Sequence, residues 1–169
     1  MNYLAAYKYN KFHWYWTDYQ GCRIEIKKYP KLTEVGAYGI GSQVDAYSDM
    51  KFDDKKYGGF YTQEQIKEVL AYAAKLHIDV IPEIEILGHA QAALAAYPNL
   101  GFTDEKLEVW KTRGVSEDIF CSKEETFQFL QDVMDEVIAL FPYVNVHIRD
   151  DEVSKKRLKE TSFAVILRF

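Results

Sequence analysis

The spacing of apolar residues changes character along the chain. "KFHWYWTD" (11–18) and "HIDVIPEIEI" (77–86) are short runs rich in aromatic or β-branched residues, and "VNVHIR" (144–149) alternates apolar with polar. All three predict buried strands. Between them the period lengthens to that of a helix. Over 62–76, "TQEQIKEVLAYAAKL", Ile66, Val69, Leu70 and Ala73 share one face, and Thr62 with Gln65 has the spacing of a capping box. Over 122–141, "SKEETFQFLQDVMDEVIALF", the expected stripe is Leu130, Val133, Met134, Val137, Ile138 and Phe141, with Ser122 and Glu125 in the same capping relation. Both stripes read as core. A short helix is expected over 89–96, "HAQAALAA". The connections 36–60 and 97–122 have no clear period and are long enough to be functional or disordered. "SFAVILRF" (162–169) reads as a fourth strand or a loosely packed end.

Strand, helix, strand, helix, strand is the pattern of parallel βαβ units. The expectation is an α/β fold with a parallel sheet and both helices on one side of it. In such folds chemistry gathers beyond the carboxyl ends of the strands. Each predicted strand ends on ionisable residues: Asp18, then Glu83, Glu85 and His89, then Asp150, Asp151 and Glu152.

Composition narrows the function classes. At 169 residues, 48% of them hydrophobic, the chain is one domain long and able to build a core. A net charge of -5 and the lack of a Lys/Arg block speak against nucleic acid as a partner. Cys22 and Cys121 have no metal-ligand spacing and read as free thiols. No phosphate loop or serine nucleophile elbow is present, so no cofactor is expected. His89, Asp151 and Glu152 lack any recognised metal spacing, so no metal is expected either. No apolar run reaches membrane-spanning length and no signal peptide is visible; a complete chain of this kind would be cytoplasmic. Taken singly, His89 reads as structural, Asp18 as a turn residue, and Trp14, Tyr15 and Trp16 as core packing, although aromatic faces also stack on sugars.

Taken together these stretches resemble one family. "YNKFHWYWTDYQGCRIEIKKYPKLTEVGAY", the Pro-Glu-Ile-Glu run leading to Gly88-His89-Ala90, and His147-x-x-x-Asp151-Glu152 resemble family 20 glycoside hydrolases, the β-N-acetylhexosaminidases, from about Tyr7 to Arg157. The resemblance implies an eight-stranded (β/α) TIM-type barrel, of which this chain would be a single truncated catalytic domain, 1–169, carrying roughly strands two to four. It implies removal of terminal N-acetylglucosamine or N-acetylgalactosamine from glycans by substrate-assisted retaining catalysis, a departure from the usual two-carboxylate scheme. Glu152 then matches the general acid, and Asp151 the residue that orients the substrate's attacking 2-acetamido group. His89 and Asp18 match a pair supporting the acid. His147, Glu85 and Trp14 are expected to bind substrate.

The family pattern is broken at several positions. Arg149-Asp150 stands where the family usually has Gly-Gly, Tyr15 where it has a second histidine, Tyr19 a second aspartate, Cys22 a tryptophan and Leu87 a proline. Arg149 is placed to pair with Asp151 and favour its ionised form. The barrel's first strand and last four strands have no counterpart in this sequence. Open sheet edges are therefore expected to promote homo-oligomers. A non-catalytic amino-sugar-binding module or a structural fragment is the alternative reading.

Overall fold

The computed structural model describes residues 1–142 and 145–160. Its centre is a three-stranded parallel sheet in which sequence order and spatial order coincide. The first strand, Lys11–Tyr15, pairs with the central strand, Asp79–Glu85, with Tyr15 opposite Glu83. The central strand pairs in turn with the last strand, His147–Arg149, placing Glu85 opposite Arg149. The expected strand over 11–18 breaks at Trp16: Thr17–Asp18 turns into a small antiparallel pair with Gly21–Cys22. The last strand is shorter than the 144–149 expected, and Val144 lies outside the described residues.

Strand parity assigns the two faces. Val80, Pro82 and Ile84 point to one side and join a core with Trp16, Ile66, Leu70, Ala73, Val133 and Val137. Phe12 and Trp14 pack against the same core. The opposite face carries His13, Tyr15, Glu83, Glu85, His147 and Arg149, almost all of it polar or ionisable. Trp14 and Trp16 therefore belong to the helix-covered side, as core packing predicts. Their rings lie 4.1 Å apart, tilted by 35°, and both contact Tyr61 edge-on.

The first long helix, Gln63–Lys75, begins with the expected capping box, Thr62 accepting from the Gln65 backbone and Gln65 reaching back to Thr62. It buries Ile66, Leu70 and Ala73 as expected. The second, Glu124–Leu140, differs from expectation at its start and in its face. Its N-cap is Lys123, with no side-chain cap. The turn Pro98–Leu100 ties this end down instead: Asn99 donates to Glu125, Thr126 Oγ1 to the Leu100 carbonyl, and Lys123 Nζ to the carbonyls of Asn99 and Gly101. The buried face runs through Phe129, Val133, Val137 and Leu140, leaving Ile138 exposed. The stripe is rotated because Asp132 lies inside it, accepting from the Tyr29 hydroxyl and pairing with Lys28.

Residues 36–60 are not irregular. They form two short antiparallel pairs, Tyr38–Ile40 with Lys56–Gly58 and Gln43–Val44 with Lys51–Phe52. The helix behind His89 spans Gln91–Ala96. Cys22 and Cys121 are free and buried, and burial pushes the Cys22 thiol up to about 11. The apolar tail 162–169, a candidate fourth strand, lies outside the described residues.

Candidate active site

Three chain segments meet beyond the carboxyl ends of the strands. Thr17–Asp18 follows the first strand, Gly88–His89 follows the central strand, and Asp151–Glu152 follows the last. Gly88 is needed for this meeting, because a Cβ there would lie 2.6 Å from the Asp151 carbonyl oxygen. His89 and Glu152 both adopt left-handed backbone conformations, with φ of 51° and 53°. For residues with side chains such geometry is costly, and it tends to persist where the surrounding structure holds a functional group in place.

His89 is the centre of the cluster. Its Nδ1 lies 2.9 Å from Asp18 Oδ1, which also accepts from the Tyr19 backbone N–H. Its Nε2 makes no hydrogen bond among the described residues, yet faces Asp151 Oδ1 at 3.4 Å and Glu152 Oε2 at 3.5 Å. A proton on Nδ1 serves Asp18, since a carboxylate can only accept. A neutral ring would then turn a lone pair toward two carboxyl groups. One more proton, on Nε2 or on a carboxyl, would let these atoms pair. Tyr19 covers the ring, stacked at 4.2 Å and 20°.

Glu85 lies beside this cluster, buried, accepting from the Tyr15 hydroxyl at 2.7 Å. Burial raises its pKa above the ordinary carboxyl value, against the lowering influence of Tyr15, His89 and Arg149. Burial also drives the Tyr15 hydroxyl well above its usual value, the hydrogen bond to Glu85 adding to the effect. Arg149 forms a fork with Asp151, Nε to Oδ1 at 2.8 Å and Nη2 to Oδ2 at 2.7 Å. Those bonds hold the Asp151 carboxyl below its ordinary pKa, the outcome anticipated from an arginine at 149.

Of the residues singled out in the sequence, Asp18, His89, Asp151 and Glu152 converge, and Glu85 adjoins them. His147 lies on the same face as Glu85 but at the start of the last strand, exposed, against His13 and Glu83. Trp14 is on the opposite face, so the structure does not bring it to the cluster. Tyr19 reads in the sequence only as a departure from the pattern; Tyr15 reads also as core packing, but it lies on the polar face and donates its hydroxyl to Glu85. Parity would have placed Tyr15 beside Glu83 and Glu85, whereas nothing local signals the stacking of Tyr19 on His89.

Comparison with known proteins decides the family. The model for "Glycosyl hydrolase family 20, catalytic domain" matches residues 1–166. The chain belongs to glycoside hydrolase family 20. Among family 20 relatives, a beta-hexosaminidase of Porphyromonas gingivalis is 46% identical over 160 residues, covering 94% of this chain and 19% of that protein. One from Vibrio furnissii is 44% identical, covering 90% and 25%. A crystal structure of a beta-N-acetylhexosaminidase superposes with a TM-score of 0.89 at 34% identity, over 99% of this chain and 34% of that one. The family 20 exo beta-N-acetylglucosaminidase from Vibrio harveyi, solved with N-acetylglucosamine, gives 0.76 at 36% identity, covering 98% and 26%. The chain thus spans about a fifth to a third of the length of these four proteins.

Proposed function

We propose that this chain forms strands two to four of a family 20 (β/α) barrel and carries the acid side of a β-N-acetylhexosaminidase active site. The observation that supports this reading best is the convergence of Asp18, His89, Asp151 and Glu152 from three strand ends. Glu152 protonates the departing glycosidic oxygen. The substrate's own acetamido oxygen attacks the anomeric carbon, forming a C–O bond as the glycosidic bond breaks, and Asp151 orients and stabilises that group. Water then opens the cyclic intermediate with Glu152 taking back a proton, so configuration is retained. His89, anchored by Asp18, is a positioning residue that exchanges the proton held between the carboxyl groups. Glu85 and His147 line the adjoining inner face toward a bound N-acetylhexosamine.

The Arg149 fork favours a second reading. Held in two bonds, Asp151 is not free to receive an acetamido group, and such a chain would bind amino sugars without cleaving them. Turnover of a nitrophenyl N-acetylglucosaminide, alongside calorimetric titration with N-acetylglucosamine, separates the two. Slow turnover that Glu152→Gln abolishes for a poor leaving group, and reduces less for nitrophenol, is the expected result. Binding without turnover supports the second reading. Brisk hydrolysis surviving both Glu152→Gln and Asp151→Asn would sink the first.

A further inference from the structure

Below the candidate active site, on the polar face of the sheet, a second cluster spans all three strands. His13 of the first strand, Glu83 of the central strand and His147 of the last strand bring one ligand atom each to a common point, all within 4.8 Å of one another. His13 Nε2 lies 2.5 Å from Glu83 Oε2 and 3.0 Å from His147 Nδ1, and His147 Nδ1 lies 4.0 Å from Glu83 Oε2. The two imidazoles stack at 4.6 Å and 20°, each holding the other in place.

Protons alone satisfy this arrangement poorly. A proton on His13 Nε2 can be directed at Glu83 or at His147, and whichever it serves leaves another acceptor atom facing the same point. A single cation satisfies all three. We infer that His13, Glu83 and His147 form a binding site for a divalent metal ion of the zinc class, distinct from the candidate catalytic cluster.

The donor set selects the metal class. Two imidazole nitrogens and one carboxylate oxygen suit zinc and its first-row neighbours, whereas magnesium and calcium prefer oxygen throughout. A tetrahedral ion with bonds of about 2.0–2.1 Å holds its donor atoms roughly 3.3 Å apart. The observed separations of 2.5, 3.0 and 4.0 Å bracket that spacing, so small side-chain rotations suffice. Three protein ligands leave a fourth position for water or a substrate oxygen. Access is open: the His13 and His147 side chains are 45% and 46% exposed, while Glu83 is anchored at 8%. Arg149 Nη1 faces the other Glu83 oxygen at 3.6 Å. A cation there opposes metal charge, but it also fixes the carboxylate with Oε2 turned to the imidazoles, as outer partners of metal-bound carboxylates do.

The test uses the unmodified chain, stripped with chelator and titrated with Zn2+ against a chromogenic competitor, with Co2+ as a spectroscopic substitute. One equivalent should bind, Co2+ should give tetrahedral visible bands, and the imidazole NMR signals of His13 and His147 should shift together at one equivalent. His13→Gln and His147→Gln should each weaken binding about 100-fold or more, since even outer-shell losses cost 10–100-fold. His89→Ala should retain it, which separates this site from the Glu85, His89 and Asp151 group, whose ligand atoms also lie within 4.8 Å. Three results would overturn the assignment: no saturable binding, binding that survives the His13→Gln/His147→Gln double variant, or binding lost in His89→Ala. The NMR readout on unmodified protein decides the matter even if a variant fails to fold.

Discussion

Asp151 and Glu85 lie within reach of the same guanidinium and are shifted in opposite directions. Arg149 lowers Asp151 through two hydrogen bonds, whereas burial dominates at Glu85 and raises it. The consequences for stability have opposite signs. The contribution of Asp151 is fully present above its unfolded pKa and is lost as pH falls through its lower folded value. That of Glu85 is present below its unfolded pKa and is lost as pH rises through its raised folded value. Glu85→Gln keeps an acceptor for Tyr15 while removing the charge. It should therefore melt higher than the parent at pH 7, with the two converging in acid; a lower melting temperature at pH 7 would contradict the assignment. Arg149→Gly with Asp150→Gly should release Asp151, flatten the loss of stability as pH falls below the ordinary aspartate range, and raise turnover of a nitrophenyl N-acetylglucosaminide. Unchanged turnover would mean that the fork does not restrain the site.

The two long helices are a matched pair for testing how an element starts. The first is capped by its own sequence, the second by a neighbouring turn. Thr62→Ala should cost about 1 kcal/mol in denaturant unfolding. Ser122→Ala, at the analogous position in the sequence but outside any cap, should stay within about 0.5 kcal/mol. Equal losses would show that Ser122 caps after all. Ile66 is fully buried under the sheet, and Ile66→Ala should cost about 2–5 kcal/mol, the usual range for an excavated core site. Between strands and helices, the left-handed residues His89 and Glu152 sit where the central and last strands hand over to the candidate site, so backbone strain gathers there.

At the scale of the molecule, the described sheet has two free edges, the first strand and the last. Lys11 and the three-residue length of the last strand blunt those edges, but Ile148 is 52% exposed beside one of them. We expect the chain to self-associate through these edges, seen as a mass that grows with concentration in light scattering, and Ile148→Lys to reduce it. A monomer mass at high concentration together with a cooperative melt would count against this.

The periodicities and the first cap are local properties, set by which side chains recur every two or every three to four positions, and these were legible without coordinates. So was the grouping of ionisable residues at strand ends, because a parallel sheet aligns those ends by construction. The rotated face of Glu124–Leu140 was not, because Asp132 turns inward only when Tyr29 and Lys28, over a hundred residues away, arrive to satisfy it. Trp14 reads either as core packing or as a sugar-stacking face, and only strand pairing, by fixing which side of the sheet it occupies, decides for the core. The convergence of His13, Glu83 and His147 belongs to the same class. No spacing rule links residues 13, 83 and 147; strand order, register and side-chain parity together bring them to one point.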